Sequence, residues 1–300
     1  MVTHILGLRL EGSQLSIPAV HRRRTLSVLT RLQSASAAAL GAFGVVHLSA
    51  PLVGLLHLGG DVNDRVDAVS RWMLLGRVAY QSSIGEAVLW AALATHLVSG
   101  VAKRLVTRFT VARSATEPSE VKQQAALEEA VAVPTRAPAK LSMAQKSGYV
   151  LAPFVIHHAF VNRILPSSSK PPISNVSPSE LDYSFVAHTL SHTNTAIRIF
   201  SATAYTVLIG AFAVHTVYAV PALLRMLPKS SNGASDKVRK PKRRSQTQVA
   251  SSLAIVLLAS LFAIVPFRSS DKLTVSGALK DRYDAVLGLA FPTRFFLQST

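Results

Sequence analysis

The chain has 300 residues, of which 49% are hydrophobic and only 16% charged, and it contains no cysteine. A soluble domain usually carries about 25% charge, so this composition points to a membrane class; the absent thiols exclude disulfides, thiolate-ligated iron–sulfur clusters and covalent c-type haem. The net charge of +17 could suit nucleic acid, but the basic residues cluster between long apolar runs, which argues for membrane topology and against that partner.

Residues 1–33 form a basic tail without the apolar stretch of a secretory signal, and the His21-Arg22-Arg23-Arg24 cluster reads as an uncleaved juxtamembrane segment, with a mitochondrial presequence as the alternative. A bilayer core takes about 20 apolar residues per helix. The first span is expected at Ser34–Leu58, without charge, and the second at Ser82–Ala102, with Glu86 as its one acid. Between them, 59–81 reads as a loop whose Arg77 would pair with Glu86 at the interface. Along the second span, Ala87, Ala91, Thr95 and Ser99 make a small-residue stripe suited to close helix packing. Residues 105–146 read as a flexible loop with one short helix near Val121–Val133. The third span, Gly148–Pro166, ends near Arg163, whose side chain could snorkel; Ile199–Leu224 and the Leu-, Ile-, Val- and Ala-rich Val249–Phe267 are the fourth and fifth. Residues 226–248 are a basic linker, and in the tail 268–300 the segment Leu279–Phe296 reads as interfacial and amphipathic.

The expected fold is therefore an all-α, polytopic membrane helix bundle: a first transmembrane pair over 34–104, a second over 147–225 and a fifth helix over 249–267. Five spans put the two termini on opposite sides. The N-terminal side holds 21 basic and 6 acidic residues and the other side 11 and 8, so the positive-inside bias places the N-terminus in the cytosol.

The two pairs look like a duplicated unit, 30–108 and 142–227. His96-Leu-Val-Ser-Gly100 leads to Lys103 and Arg104 much as His215-Thr-Val-Tyr-Ala219 leads to Arg225, and Arg31-Leu-Gln33-Ser matches Ala144-Gln145-Lys-Ser more loosely. His47, His96, His158 and His215 sit mid-span at similar depth. An imidazole in hydrocarbon is costly to desolvate, and two roles suit it. One is a hydrogen bond to a neighbouring helix. The other is ligation of haem b, with His96 and His215 as the first choice of metal ligands and Arg104, Lys103 or Arg225 near the propionates. His57, His188 and His192 fall in loops or near an interface and carry little weight. No Gly-rich phosphate loop, G-x-S-x-G or H-E-x-x-H occurs, so an enzyme is not expected.

The stretches Tyr80-Gln-Ser-Ser-Ile-Gly-Glu86 through His96 to Arg104, and Ser147-Gly-Tyr-Val-Leu-Ala-Pro153 through His158 to Pro166, resemble the fungal Mcp-type mitochondrial adapter family over roughly 30–290. That family's membrane domain is distantly similar to the cytochrome b subunit of succinate dehydrogenase. The resemblance implies a multi-pass mitochondrial outer-membrane protein that supports lipid homeostasis and recruits a bridge-like lipid-transfer protein to organelle contacts. In the family a Pro-x-Pro motif in the N-terminal tail does the recruiting. Here that tail has only Pro18, and no Pro-x-Pro occurs. The expected function is that of a membrane anchor or adapter, in contact with membrane lipids, with a haem-b electron or haem carrier as the alternative.

Overall fold

The computed structural model describes residues 3–5, 8–10, 19–114, 140–175, 180–224, 243–266, 272–275 and 277–298. Their architecture is an all-α polytopic bundle, apart from a short antiparallel pair of strands, β1 (Thr3–Ile5) and β2 (Leu8–Leu10). The chain divides into two compact units. One comprises Met1–Ala38 with Ala91–Lys140, the other Ala39–Trp90 with Leu141–Thr300.

Helix α1 (Ala19–Leu56) has 38 residues, or about 57 Å at 1.5 Å per residue, well beyond a hydrocarbon core of roughly 30 Å. Much of the basic tail is thus helical, because nothing between Pro18 and Gly41 breaks a helix. Helix α3 (Ser83–Ser114) likewise continues past the basic pair Lys103-Arg104. Helix α4 (Met143–Ala159) opens on a capping box, in which Ser142 Oγ accepts from the Gln145 backbone N–H and Gln145 Oε1 from that of Ser142. At 17 residues it spans about 26 Å, and the π turn Phe160–Ile164 and 3-10 turn Leu165–Ser167 carry the helical run on without a break. Helices α6 (Thr195–Leu224) and α7 (Arg243–Phe262) complete the apolar set. Among the described residues, four helical segments are long and apolar enough to cross a bilayer: His21–Leu56, Ser83–Thr107, Thr195–Leu224 and Ser245–Phe262. The expected third span meets that length only when the π and 3-10 turns are added to α4. Val45, Ile84, Val98, Ile156, Ile199 and Ile255 are exposed on these helices, as lipid-facing side chains are.

Residues expected as the 59–81 loop are instead helix α2 (Val62–Tyr80). Asp61 caps it by accepting from the Val62 N–H. It buries Val62, Val66 and Val69, the i, i+4, i+7 face of an amphipathic helix. Helix α5 (Tyr183–Leu190), capped by Asp182, is also new and buried almost all round. Two apolar clusters lie on either side of it. Val62, Val66 and Val69 join Val186, Leu190, Leu257 and Ile264 in one; Phe185 joins Ile197, Tyr283, Val286 and Leu287 in the other.

Tyr283, Val286 and Leu287 of that cluster belong to α8 (Gly277–Leu289), which is followed by α9 (Thr293–Gln298). The tail expected to lie on the membrane is therefore folded onto the bundle end, with Tyr283, Val286 and Leu287 buried. Its exposed margin keeps the interfacial character, since Leu289, Phe291 and Phe295 are open and the Arg294 guanidinium lies 4.6 Å over the Phe295 ring. The expected small-residue stripe on α3 holds only in part: Ala87 and Ala91 are exposed, while Ala92 and Ser99 are buried. The short helix expected near 121–133 and the linker 226–242 lie outside the described residues.

Candidate functional site

The four mid-span histidines are held in two ways. In the first unit, His96 Nδ1 on α3 lies 3.3 Å from the Gln33 carbonyl and 3.4 Å from Ser36 Oγ on α1, and Lys103 Nζ donates to Gln33 Oε1 at 2.9 Å. In the second unit, His215 Nδ1 on α6 donates to the Ala144 carbonyl on α4 at 2.8 Å. A Cβ on Gly148 would come within 3.0 Å of the same ring, so the missing side chain lets the imidazole approach. Ser36 Oγ donates to the Leu32 and Gln33 carbonyls, and Ser147 Oγ to those of Met143 and Ala144. Gln33, Ser36 and His47 thus match Ala144, Ser147 and His158 in spacing, and the first two of each set also in bonding. This repeat has a different register from the expected one, which set Ser34 against Ser147.

The other pair is a contact between copies. The His47 and His158 rings meet edge-on with centroids 6.0 Å apart. Phe43 stacks on His47 and Tyr205 abuts His158. His158 Nδ1 accepts from the Asn162 amide at 3.2 Å, and the same amide donates to the His158 carbonyl at 2.9 Å. That sets the His158 proton on Nε2. His47 Nδ1 is buried without a partner.

As ligands for haem or a metal the four differ. An iron-bound imidazole carries its proton on the nitrogen away from the metal and donates it to a fixed acceptor. His96 and His215 meet that condition, whereas His158 holds the opposite tautomer. Arg104, half-buried two turns beyond His96, belongs to the His96 unit, and Arg225 lies outside the described residues.

Glu86 does not pair with Arg77. Its carboxylate accepts from Arg163 Nη2 at 2.6 Å and from Trp90 Nε1 at 3.3 Å. Arg163, expected to snorkel, is held on its other side by Ser167 Oγ. Arg77 instead donates to Gln81 Oε1 and to the Leu181 carbonyl. Partners so distant in sequence leave no local signal.

The most concentrated polar cluster comes from histidines given little weight in the sequence. His188 Nε2 on α5 and His192 Nε2 in the turn before α6 donate to one oxygen of Asp284 on α8, at 2.8 and 3.3 Å; Lys280 Nζ donates to the other at 2.6 Å. Both histidines are buried. Their i, i+4 spacing was visible in the sequence, but the carboxylate that joins them was not. Burial pushes the Asp284 carboxyl up, yet the hydrogen bonds from His188 and Lys280 outweigh it and hold the group below the usual carboxylate range. His192 is pulled below its ordinary value by burial and by His188 beside it, against the pull of Asp284.

These three ligand-type side chains lie close enough to surround a metal ion, but their hydrogen bonds are of the wrong sense. The Asn194 backbone N–H donates to His192 Nδ1 at 3.0 Å. The His192 proton therefore sits on Nε2 and points at Asp284, leaving no lone pair there for a metal.

Beside this cluster, α4, α5, α6 and the α8–α9 segment line a partly open cavity of about 40 Å³, room for a few waters. Its surface is largely apolar, interrupted by His157, His158, Asn162, Thr189, Ser201, Tyr205 and Thr293.

Residues 153–280 match the family model of the MDM10-complementing protein 1 transmembrane domain. No curated protein and no solved structure matches the chain. The resemblance read from the sequence holds over this segment, which is narrower than the expected 30–290. The matched segment runs from Pro153 in α4 to Lys280 in α8. It takes in His158, Arg163, His188, His192 and His215, so it covers most of the second repeat copy and α7.

Proposed function

We propose that the protein is a non-enzymatic, multi-pass protein of the mitochondrial outer membrane that supports lipid homeostasis as an anchor or adapter at organelle contacts. The observation that carries this reading is the match of 153–280 to the MDM10-complementing protein 1 transmembrane domain. The hydrogen-bonded packing of His215 and the Glu86–Arg163 pair support it, because both build a stable anchor. With the N-terminus cytosolic, the basic segments 103–146 and 225–248 face the cytosol and present charge to a partner or to anionic lipid. Recruitment of a bridge-like lipid-transfer protein would use those segments in place of a Pro-x-Pro motif. The test is loss of the chain from its native cells, followed by rescue with a variant whose basic residues in these two segments are Gln. Loss should alter the mitochondrial lipid profile and the number of contacts, and the variant should insert but fail to restore them. An unchanged lipid profile on loss refutes the reading.

A second reading, a haem-b carrier, is favoured by His215, whose Nδ1–H is held by the Ala144 carbonyl, as the outward nitrogen of an iron-bound imidazole is. Its test is the oxidised and reduced absorbance spectrum of the purified protein: a Soret band lost in His215→Leu supports it, and a flat visible spectrum from haem-replete cells removes it.

A further inference from the structure

We propose that His192 is a proton-operated latch that holds the α8–α9 cap on the bundle end, and that acid releases the cap and widens the cavity that the cap helps to line. Every polar atom of His192 is committed. Nε2–H donates to Asp284 on α8, and Nδ1 accepts from the Asn194 backbone. An added proton can go only to Nδ1, where it would face the Asn194 N–H, donor against donor.

Asn194 passes that conflict on. Its Oδ1 accepts from the Ala196 and Ile197 N–H groups, capping α6 at the point where that span begins. Its Nδ2 donates to the Phe296 carbonyl on α9 at 2.9 Å. One residue therefore joins His192, the start of a membrane span and the last helix of the cap. The same cap supplies Leu287, Ala290 and Thr293 to the cavity wall, opposite His158, Asn162 and Tyr205. Lifting it would expose those polar groups further.

The charges facing His192 are His188 from α5 and Asp284 and Lys280 from α8. Asp284 would attract an imidazolium, but Lys280 already pairs with it, so a charged His192 adds to a site that holds one cation beside its one anion. The sign follows from the lowered value of His192. Neutral His192 belongs to the closed latch and takes up its proton more readily once released. The latch is therefore at full strength above about pH 6.5 and weakens as pH falls below it, by at most about tenfold per pH unit for one proton. Asp284 stays ionised throughout that window, being held below the usual carboxylate range.

The test is hydrogen–deuterium exchange of the full chain in phospholipid nanodiscs, read on peptides from 277–298 and corrected for the intrinsic pH dependence of exchange. Cap opening should rise severalfold between pH 7 and pH 5.5. It should become independent of pH in His192→Gln, whose amide oxygen can still accept from Asn194 but cannot titrate. A flat wild-type profile, or an unchanged slope in His192→Gln, overturns the proposal. Should that variant fail to fold, nitrogen NMR of labelled histidine in the unsubstituted protein decides. An Nε2–H tautomer at pH 7.5 that titrates together with cap opening supports the latch. An Nδ1–H tautomer, or titration without opening, overturns it.

Discussion

At the residue scale, His215 shows how a polar ring is accommodated in a span. Its Nδ1–H reaches a carbonyl one helix away, and Gly148 gives the ring room. His96 makes the corresponding bond to Gln33. Interhelical hydrogen bonds of this kind average about 0.6 kcal/mol and reach about 1.7 in membranes, because an unfolded chain in lipid finds other partners. His215→Leu should therefore lower stability by roughly 0.6–1.7 kcal/mol, measured by chemical unfolding in detergent; no loss would mean the bond is not made. That these histidines matter was legible from their depth. Their acceptors were not, because a backbone carbonyl has no sequence signature. Glu86 shows the same limit from the other side: its charge was conspicuous, and only the fold chose Arg163 over Arg77.

At the element scale, the apolar spans were readable from hydropathy, whereas α2 and α5 were not. α2 carries its apolar residues on one face behind an Asp61 cap, the pattern of an amphipathic helix, yet three acids and three bases between 59 and 81 made it look like a loop. α5 is only 8 residues long, short enough that burial rather than intrinsic propensity sustains it. The turn from α2 to α3 depends on Gly85, where an added Cβ would run into the Ala79 carbonyl and crowd Ser82 Oγ. Gly85→Ala should destabilise by about 1–3 kcal/mol through overpacking. Gly41 on α1 has open space around it, so Gly41→Ala should instead stabilise by about 0.5–1 kcal/mol through helix propensity. Thermal unfolding followed by circular dichroism checks both, and a Gly85→Ala midpoint at or above wild type would refute the first.

For the whole molecule, the number of crossings depends on α4, which reaches span length only with its π and 3-10 extensions. Five crossings put the two ends of the chain on opposite sides, and four put them on the same side. The cysteine-free background makes this directly measurable. Ser27→Cys and Thr274→Cys, both at exposed positions, should react with an impermeant maleimide from opposite faces of a sealed membrane. Labelling of both from one face would remove α4 from the set of spans.

The sequence by itself determined the membrane class, the apolar helices and the resemblance to the MDM10-complementing protein 1 transmembrane domain over 153–280. These rest on hydropathy, spacing and local pattern, which survive whatever the chain does in three dimensions. Only the tertiary structure decided which polar groups meet: His47 with His158, Glu86 with Arg163, and His188 and His192 with Asp284. Each of these contacts joins residues far apart in the chain, and nothing in the local sequence of either partner selects the other. Helix packing brings them together, and the cost of leaving a buried polar group unpaired makes the meeting specific.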